Sequence, residues 1–147
     1  MNQFSSCNVT PMIGEVYMMQ FEGSMCKQNG WRPGVVLQNN VGNIYSPNVI
    51  ALPLTSVIKK ISQPTHVVLF AADTGLRTDG MVLCENPETV PKERVGKFVT
   101  KLSDEYMRKI ARASLVATAA IAYLSLDELD VVLQTSIKLN QVDTFYV

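Results

Sequence analysis

GWRPGVVLQNNVGNIYSPNVIALPLT, residues 30–55, contains two short apolar runs separated by turn-forming residues. We expect strands at residues 33–38 and 48–54, because each run is short and rich in Val, Ile or Leu. The polar stretch between them, residues 39–46, is rich in Asn and predicts a turn. Pro53 indicates that the second strand lies at a sheet edge or bends at that point.

Outward from this stretch, four further apolar runs predict strands, at residues 14–21, 65–70, 81–85 and 96–102. Ser103 then offers a helix N-cap followed by Asp104 and Glu105, and apolar residues recur at helical spacing to about residue 124. A similar capping pattern at Ser125 predicts a short second helix. The pattern predicts a β-rich α+β fold, either a small antiparallel barrel or a strongly curved sheet.

The overall composition is that of a globular protein. The chain has 147 residues, of which 47% are hydrophobic, with 13 basic and 13 acidic side chains, so we expect one folded domain rather than a disordered chain. The longest uncharged stretch near the C-terminus, residues 113–126, is shorter than the roughly 20 residues that a membrane span needs. Residues 1–12 are polar, resemble no secretion signal and predict a loose leader, so we expect a cytoplasmic protein without membrane association.

The cysteine and histidine content argues against metal sites. Three cysteines at irregular spacing, Cys7, Cys26 and Cys84, fit neither a disulfide framework nor a zinc cluster and indicate free thiols. His66 is the only histidine, so a histidine-based metal site is not expected. We therefore expect chemistry without a metal or cofactor.

Charge is divided unevenly along the chain. Residues 1–124 carry 12 basic and 9 acidic side chains, whereas residues 125–147 carry one basic and four acidic ones. The body is therefore mildly basic, as a polyanion-binding surface requires, and the last segment is an acidic extension. The same division also fits an ordinary scatter of solvated charge.

Arg32 is the first candidate for chemistry. Pro33 restricts Arg32 to extended geometry, so the guanidinium projects from a stiff point at a strand. Arginine is permanently charged and binds phosphate oxygens through two donors. Trp31 beside it has the type of side chain that stacks on an unpaired base. A surface arginine and a tryptophan of the core are the alternatives.

Hydroxyl and basic side chains follow the strand at residues 48–54. Thr55 and Ser56 are able to bond a phosphate or orient a nucleophile, although such hydroxyls also cap turns. Lys59 and Lys60 suit a phosphate backbone or a solvated loop, and His66 is either functional or structural. These residues alone support only a small β-rich domain with a weak anion site.

Four stretches resemble the MazF/PemK family of toxin endoribonucleases. They are GEVYMMQF at 14–21, GSMCKQNGWRPGVVLQNNVGN at 23–43, YSPNVIALPLTS at 45–56 and PTHVVL at 64–69. The string G-x-R-P-x-x-V-x-Q-N is specific when Y-S-P and T-S follow at this distance. Weaker similarity extends to about residue 120, which delimits a toxin domain at 13–124 between the leader at 1–12 and the extension at 125–147.

The resemblance implies a small SH3-like antiparallel β-barrel with a C-terminal helix, of the CcdB/PemK-like type. It implies a homodimer that cuts single-stranded RNA at short sequence motifs without a metal and is blocked by a cognate antitoxin. The 2′-hydroxyl attacks its own phosphate and leaves a 2′,3′-cyclic phosphate and a 5′-hydroxyl. Arg32 and Thr55 match the catalytic pair. The residues expected to bind RNA are Gln28, Gly30, Trp31, Pro33, Ser56, Lys59, Lys60 and His66.

The chain departs from the family pattern at several places. Lys27 stands where the family usually has an acidic residue, and the loop that contains it is about two residues longer. Asn86 and Glu88 stand where a glutamine and an arginine are common. A non-enzymatic protein on the same barrel, which binds RNA or poisons gyrase as the CcdB branch does, is the alternative reading.

The acidic extension, residues 125–147, has no counterpart in the resemblance. Its charge opposes that of the body, so one hypothesis lays it across the basic groove as partial self-inhibition. The other hypothesis is an additional helix that packs at the edge of a dimer.

Overall fold

A computed structural model describes residues 10–22, 30–58 and 63–141, and this part of the chain forms seven strands and four α-helices. The strands are β1 (Glu15–Gln20), β2 (Trp31–Val36), β3 (Asn48–Thr55), β4 (His66–Leu69), β5 (Gly80–Leu83), β6 (Glu88–Pro91) and β7 (Val95–Lys101). The helices are α1 (Asn40–Tyr45), α2 (Ala71–Thr74), α3 (Asp104–Ala117) and α4 (Leu126–Asn140). Two 3₁₀ segments lie at Lys92–Arg94 and Ala119–Tyr123.

All strand pairs are antiparallel and belong to one sheet with the order β4-β5-β3-β2-β1-β7, in which β6 also pairs with β3. The predicted fold class, a β-rich antiparallel domain with helix at its C-terminus, is confirmed. The sheet is not closed, however, because β4 and β7 end the path and do not pair with each other in the described residues. Irregular register between β1 and β7 bends this end of the sheet.

Strand β3 lies at the centre of the sheet and has three partners. One edge pairs with β2, and the other pairs with β6 along residues 48–51 and with β5 at residues 54 and 55. Pro53 lies where β3 passes from β6 to β5, and the prediction that this strand lies at a sheet edge is wrong because β3 has partners on both sides. A proline has no backbone N–H to donate, and it is tolerated at this position because β3 changes its pairing partner there.

The two faces of the sheet bury two separate cores. Val35 packs in the first core with Leu52 and with Ile110 of α3, whereas Val36 packs in the second core with Ala51. Neighbouring residues reach opposite cores because side chains alternate across a strand. Both faces of the central strands are therefore apolar, and β2 and β3 show no simple alternation of polar and apolar residues.

Several elements differ from the sequence prediction. Residues 39–46 were predicted as a turn but contain α1, and the short helix α2 and strand β6 were not predicted. The helix predicted to run from Ser103 to about residue 124 ends as α3 at Ala117 and continues as a 3₁₀ segment. The helix predicted at Ser125 is longer than expected, with 15 residues in α4. Among the described residues, no helix is long and apolar enough to cross a membrane.

A buried amide network holds α1 in place. Asn43 is fully buried, and its Nδ2 donates to the Gln38 carbonyl at 2.9 Å. Gln38 Nε2 donates in turn to Asn43 Oδ1 at 3.2 Å and to the Asn48 carbonyl at 3.0 Å. Asn39 caps the helix by accepting from Gly42 N. The network therefore fixes the connection between the end of β2 and the start of β3.

Replacing Asn43 tests this network. We expect Asn43→Ala to lower the free energy of unfolding by about 1–3 kcal/mol, because the half-buried Gln38 amide and carbonyl lose their hydrogen bonds with the Asn43 side chain. Urea unfolding measures the loss. Tyr45→Ala in the same helix, where the side chain is exposed, is the control and should change stability much less; equal losses in the two variants would contradict the role of the network.

Cys84 is a buried free thiol at the end of β5. Burial raises its pKa to about 11, the carboxylate of Glu85 adds to this shift, and the neighbouring Ser114 hydroxyl opposes it. The neutral thiol is therefore favoured in the folded chain. Since an unfolded cysteine has a pKa near 8.5, this contribution to stability is present at neutral pH and is lost as the pH rises from about 8.5 toward 11.

The reactivity of Cys84 follows from its burial. In a background of Cys7→Ser and Cys26→Ser, we expect a thiol reagent at pH 8 to label the native chain at least about 100-fold more slowly than the urea-unfolded chain. Equal labelling rates in the two states would show that the thiol is accessible and ionised in the fold. Cys84→Ser in the same background controls for labelling of other groups.

Candidate functional site

The pairing of β2 with β3 sets the relative positions of Arg32 and Thr55. The ladder pairs Val36 with Ala51, Val35 with Leu52 and Gly34 with Pro53. Arg32 lies two residues beyond this ladder on β2, and Thr55 lies two residues beyond it on β3, where Thr55 pairs with Met81 of β5. Strand alternation from the last pair places the two residues toward the same face of the sheet, and both side chains are half-buried.

Strand alternation puts both side chains on the face of the second core. Arg32 lies opposite Met19 on β1, and Met19 belongs to that core. Gly34, two residues on, leaves room for the Phe21 ring and the Met19 sulfur, which lie 2.6 Å and 2.9 Å from the position that a Cβ would occupy. The surface beside Arg32 is therefore tightly packed, and the backbone that carries the guanidinium is paired with β1.

The Thr55 hydroxyl caps the turn that follows β3. Its oxygen accepts a hydrogen bond from Val57 N at 3.2 Å, as one of the two interpretations from the sequence proposed. A hydroxyl carries one donor and two acceptor sites, so this bond leaves the Thr55 proton able to donate. The turn thus orients the hydroxyl and leaves its proton available for a second hydrogen bond. Ser56, the next residue, is exposed on the same turn.

The neighbours of Arg32 on β2 occupy different surroundings. Gly30 is buried with φ +76°, and its carbonyl accepts from Phe21 N at 3.0 Å, which closes the base of the β1–β2 pair. Trp31 and Pro33 are half-buried and lie opposite Gln20 and Met18 of β1. Strand alternation places Trp31 and Pro33 on the face away from Arg32. The predicted RNA-binding roles of these residues thus involve two sides of the strand.

Three predicted RNA-binding residues, Gln28, Lys59 and Lys60, lie outside the described residues. Lys27, at which the chain departs from the family pattern, does so too.

His66 does not lie beside Arg32 and Thr55. It pairs with Leu83 on β5, whereas Thr55 pairs with Met81 two residues away on that strand. Since β5 separates β4 from β3, the two backbones lie about 10 Å apart across the sheet. His66 Nε2 bonds Glu85 Oε1 at 2.8 Å, and Nδ1 is buried with no hydrogen-bond partner in the described part of the chain.

Glu85 is the charged partner of His66. Partial burial by itself raises the pKa of this carboxyl, but a backbone hydrogen bond and the bond with His66 more than offset it, and the net shift is downward. The carboxylate form is therefore favoured beside the imidazole. The sequence pattern did not indicate this pair, because the two residues are 19 positions apart.

Glu88 forms a hydrogen bond with the segment that follows β1. Its Oε1 accepts from Glu22 N at 2.8 Å, and the Glu22 carboxylate forms an ion pair with Arg94. Glu22 directly precedes residues 23–29, which contain the predicted Gln28. The departure from the family pattern at Glu88 thus has a structural role, whereas Glu22 and Arg94 were missed because their contacts span more than 60 residues of sequence.

Removal of the Glu88 carboxylate should cost stability. We expect Glu88→Ala to lower the free energy of unfolding by about 1 kcal/mol, because the Glu22 N–H loses a charged acceptor. Glu88→Gln keeps an acceptor and should cost less. Urea unfolding gives both values, with Glu93→Ala, an exposed neighbour, as the control; a loss no larger than that of the control would remove the role assigned to Glu88.

In residues 10–22, 30–58 and 63–141, no three His, Cys, Asp or Glu side chains lie close enough to hold a metal ion together.

The chain is similar in sequence to a known family and to a known protein. A family model described as "PemK-like, MazF-like toxin of type II toxin-antitoxin system" matches residues 13–116. The Endoribonuclease EndoA of Bacillus subtilis (strain 168) is 35% identical over 111 residues, which cover 75% of this chain and 96% of that protein. The matched region leaves out α4.

Solved structures agree with the sequence match. A mycobacterial endoribonuclease in complex with its cognate antitoxin superposes with a TM-score of 0.61 at 29% identity and covers 73% of this chain and 93% of that one. A second mycobacterial endoribonuclease gives a TM-score of 0.60 at 27% identity and covers 74% and 91%. The curved antiparallel sheet and α3 are therefore shared with these proteins.

Proposed function

Because the chain belongs to the PemK-like, MazF-like toxin family of type II toxin–antitoxin systems, we propose that it is a sequence-selective endoribonuclease that cuts single-stranded RNA. The pairing of β2 with β3 is the observation that carries the proposal, since Arg32 and Thr55 each lie two residues beyond its last pair and belong to the same face of the sheet. The toxin activity belongs to residues 13–124, and residues 125–147 form an appended extension.

Arg32 stabilises the charge that develops during cleavage. Attack of the 2′-hydroxyl on the adjacent phosphate builds negative charge on the equatorial oxygens of a phosphorane. A guanidinium offers several donors in a fixed plane and stays charged at neutral pH. Held beside the packed side chains of Met19 and Phe21, it meets this charge without having to reorganise. Cleavage then leaves a 2′,3′-cyclic phosphate and a 5′-hydroxyl.

Thr55 supplies a second, neutral contact to the same phosphate. Its oxygen is held by Val57 N, so the hydroxyl proton is directed and able to donate to a phosphoryl oxygen or to position the 2′-hydroxyl. No step in this scheme requires a metal ion, because Arg32 provides the positive charge. His66 is assigned to RNA contact rather than to proton transfer, since its Nε2 is engaged by Glu85.

The partners follow from the same assignment. The substrate is messenger RNA in the cytoplasm, the active form is a homodimer, and a cognate antitoxin protein inhibits it. The mycobacterial relative that was solved with its cognate antitoxin supports the last of these.

Two substitutions test the catalytic pair. In buffer containing EDTA, we expect the purified protein to cut a long single-stranded RNA, and Arg32→Ala to slow cleavage by about 10²–10³-fold, as loss of a preorganised donor does. Thr55→Val should lose activity while Thr55→Ser retains most of it, because only serine keeps the hydroxyl. Initial rates measured by gel electrophoresis give the comparison, and Arg77→Ala, an exposed arginine elsewhere, is the matched control.

Mapping of the fragment ends gives the chemistry and the recognised motif together. The products should carry 2′,3′-cyclic phosphates and 5′-hydroxyls. Dependence on magnesium, or undiminished cleavage by both Arg32→Ala and Thr55→Val, would contradict the mechanism. A gel shift without products would indicate an RNA-binding protein instead, and inhibition of supercoiling with intact RNA would indicate a gyrase poison.

A further inference from the structure

His66 belongs to the same face of the sheet as Thr55. Thr55 pairs with Met81 of β5. His66 pairs with Leu83, two residues farther along the same strand. Paired residues share a face, and so do residues two apart along a strand. Val82, which lies between Met81 and Leu83, belongs to the first core, so these residues are placed toward the opposite face, on which the candidate catalytic pair lies.

The imidazole of His66 holds the carboxylate of Glu85. His66 Nε2 lies 2.8 Å from Glu85 Oε1. The pKa of the Glu85 carboxyl is lowered on balance, so the ionised form is favoured. An ionised carboxylate only accepts hydrogen bonds, and Nε2 therefore carries the proton and donates it to Glu85.

The two side chains differ in their exposure to solvent. The side chain of His66 is 7% exposed, whereas that of Glu85 is 34% exposed. A carboxylate has about four acceptor sites, and His66, the neighbouring Thr65 hydroxyl and the backbone N–H of Glu85 occupy part of them. His66 thus supports the carboxylate from the protein side and leaves it able to accept from a ligand. Because the group is already oriented, it loses little freedom when it binds.

The position of this pair fits a base and not the cleaved phosphate. The backbones of His66 and Thr55 lie about 10 Å apart across the sheet, because β5 separates their strands. The pair therefore lies beside the phosphate that Arg32 and Thr55 contact. A carboxylate and a phosphate repel each other, so Glu85 gains from RNA only through donors, and the bases of a single strand present donors on their edges.

The four bases differ in the donors that they offer to a carboxylate. Adenine, cytosine and guanine each carry an exocyclic amino group, and carboxylate side chains accept from such groups in nucleic-acid complexes. Uracil has no amino group, and the N–H of its ring lies between two carbonyl oxygens that a carboxylate repels. A fixed carboxylate beside the cleaved bond therefore discriminates against uracil.

We propose that Glu85 accepts a hydrogen bond from the exocyclic amino group of a base next to the cleaved bond, and that His66 is the positioning residue that holds Glu85 for this contact. The inference rests on the proposed endoribonuclease function and deepens it, because it assigns the part of His66 in RNA recognition to its support of Glu85. The motif that the protein cuts should accordingly exclude uracil at one position.

A randomised single-stranded RNA library tests this base preference. Sequencing of the fragment ends after cleavage in EDTA gives the relative kcat/KM for each base at each position. At one position beside the cleaved bond, we expect the original chain to cut RNA with uracil at least about tenfold more slowly than RNA with the best amino base. Glu85→Gln should reduce this ratio to about threefold or less, because an amide N–H is able to donate to a uracil carbonyl.

Deletion of the amino group from the RNA gives an independent test. The preferred base is replaced by purine for adenine, a pyrimidinone for cytosine or hypoxanthine for guanine. This change should slow the original chain about tenfold and Glu85→Ala hardly at all, because that variant has already lost the acceptor. A purely structural role of Glu85 would lower both rates equally and leave their ratio unchanged.

Two substitutions of His66 test the positioning role. His66→Leu removes the donor to Glu85 and should weaken the discrimination against uracil, whereas His66→Gln keeps a donor and should retain most of it. Circular dichroism verifies that each variant is folded. Glu93→Gln, which neutralises an exposed carboxylate elsewhere, is the matched control and should leave the motif unchanged.

The outcomes separate this inference from the proposed function. If the original chain cuts RNA but accepts uracil at every position, or if Glu85→Gln and Glu85→Ala keep its motif, the inference is overturned and the proposed function stands. If the original chain cuts no RNA, the proposed function fails and the inference fails with it.

Discussion

The antiparallel pairing of β2 with β3 is the constraint on which the rest of the molecule depends. These strands form the middle of the sheet, they divide the two cores between their faces, and they carry Arg32 and Thr55. The placement of a permanent cation and a hydroxyl toward one face follows from strand alternation and does not require the two side chains to attract each other. The buried Asn43 network keeps the two strands in step at the other end of the ladder.

The surroundings of the site divide into a rigid and a less rigid part. Beside Arg32, the side chains of Met19 and Phe21 are buried and closely packed. At the edge, Glu22 is held by an exposed ion pair and one backbone contact with Glu88, and such surface pairs contribute little free energy. The side chains beside Arg32 are therefore closely packed, whereas Glu22 is held by weak surface contacts.

The sequence predicts most of the strands because their apolar runs are long enough to stand out from the turns. It does not predict α1, since Asn40, Gly42 and Asn43 favour turns and become helical only through contacts with Gln38 and Asn48. Strand β6 contains Glu88 and ends at Pro91, and it pairs with β3, about 40 residues away in sequence. These elements are determined by tertiary contacts, which local propensity does not contain.

The candidate site is predictable only in part for the same reason. Residue chemistry alone left Arg32 as one arginine among several, and the resemblance to the toxin family singled out Arg32 and Thr55 together. Their placement toward one face of neighbouring strands depends on strand pairing, which a sequence pattern does not specify. The engagement of His66 by Glu85 and the contact between Glu22 and Glu88 depend on distant residues and gave no local signal.

The link from the end of β2 to the start of β3 limits the insertions and deletions that the gene tolerates. One amino acid more or fewer there would slip the two strands by a single step, and a single step turns a side chain to the other surface of the sheet. Because hydrogen bonds among Gln38, Asn43 and Asn48 fix the geometry of the link, the link cannot absorb an inserted or deleted residue. We therefore expect selection to remove insertions and deletions in this link and to tolerate substitutions at its exposed positions.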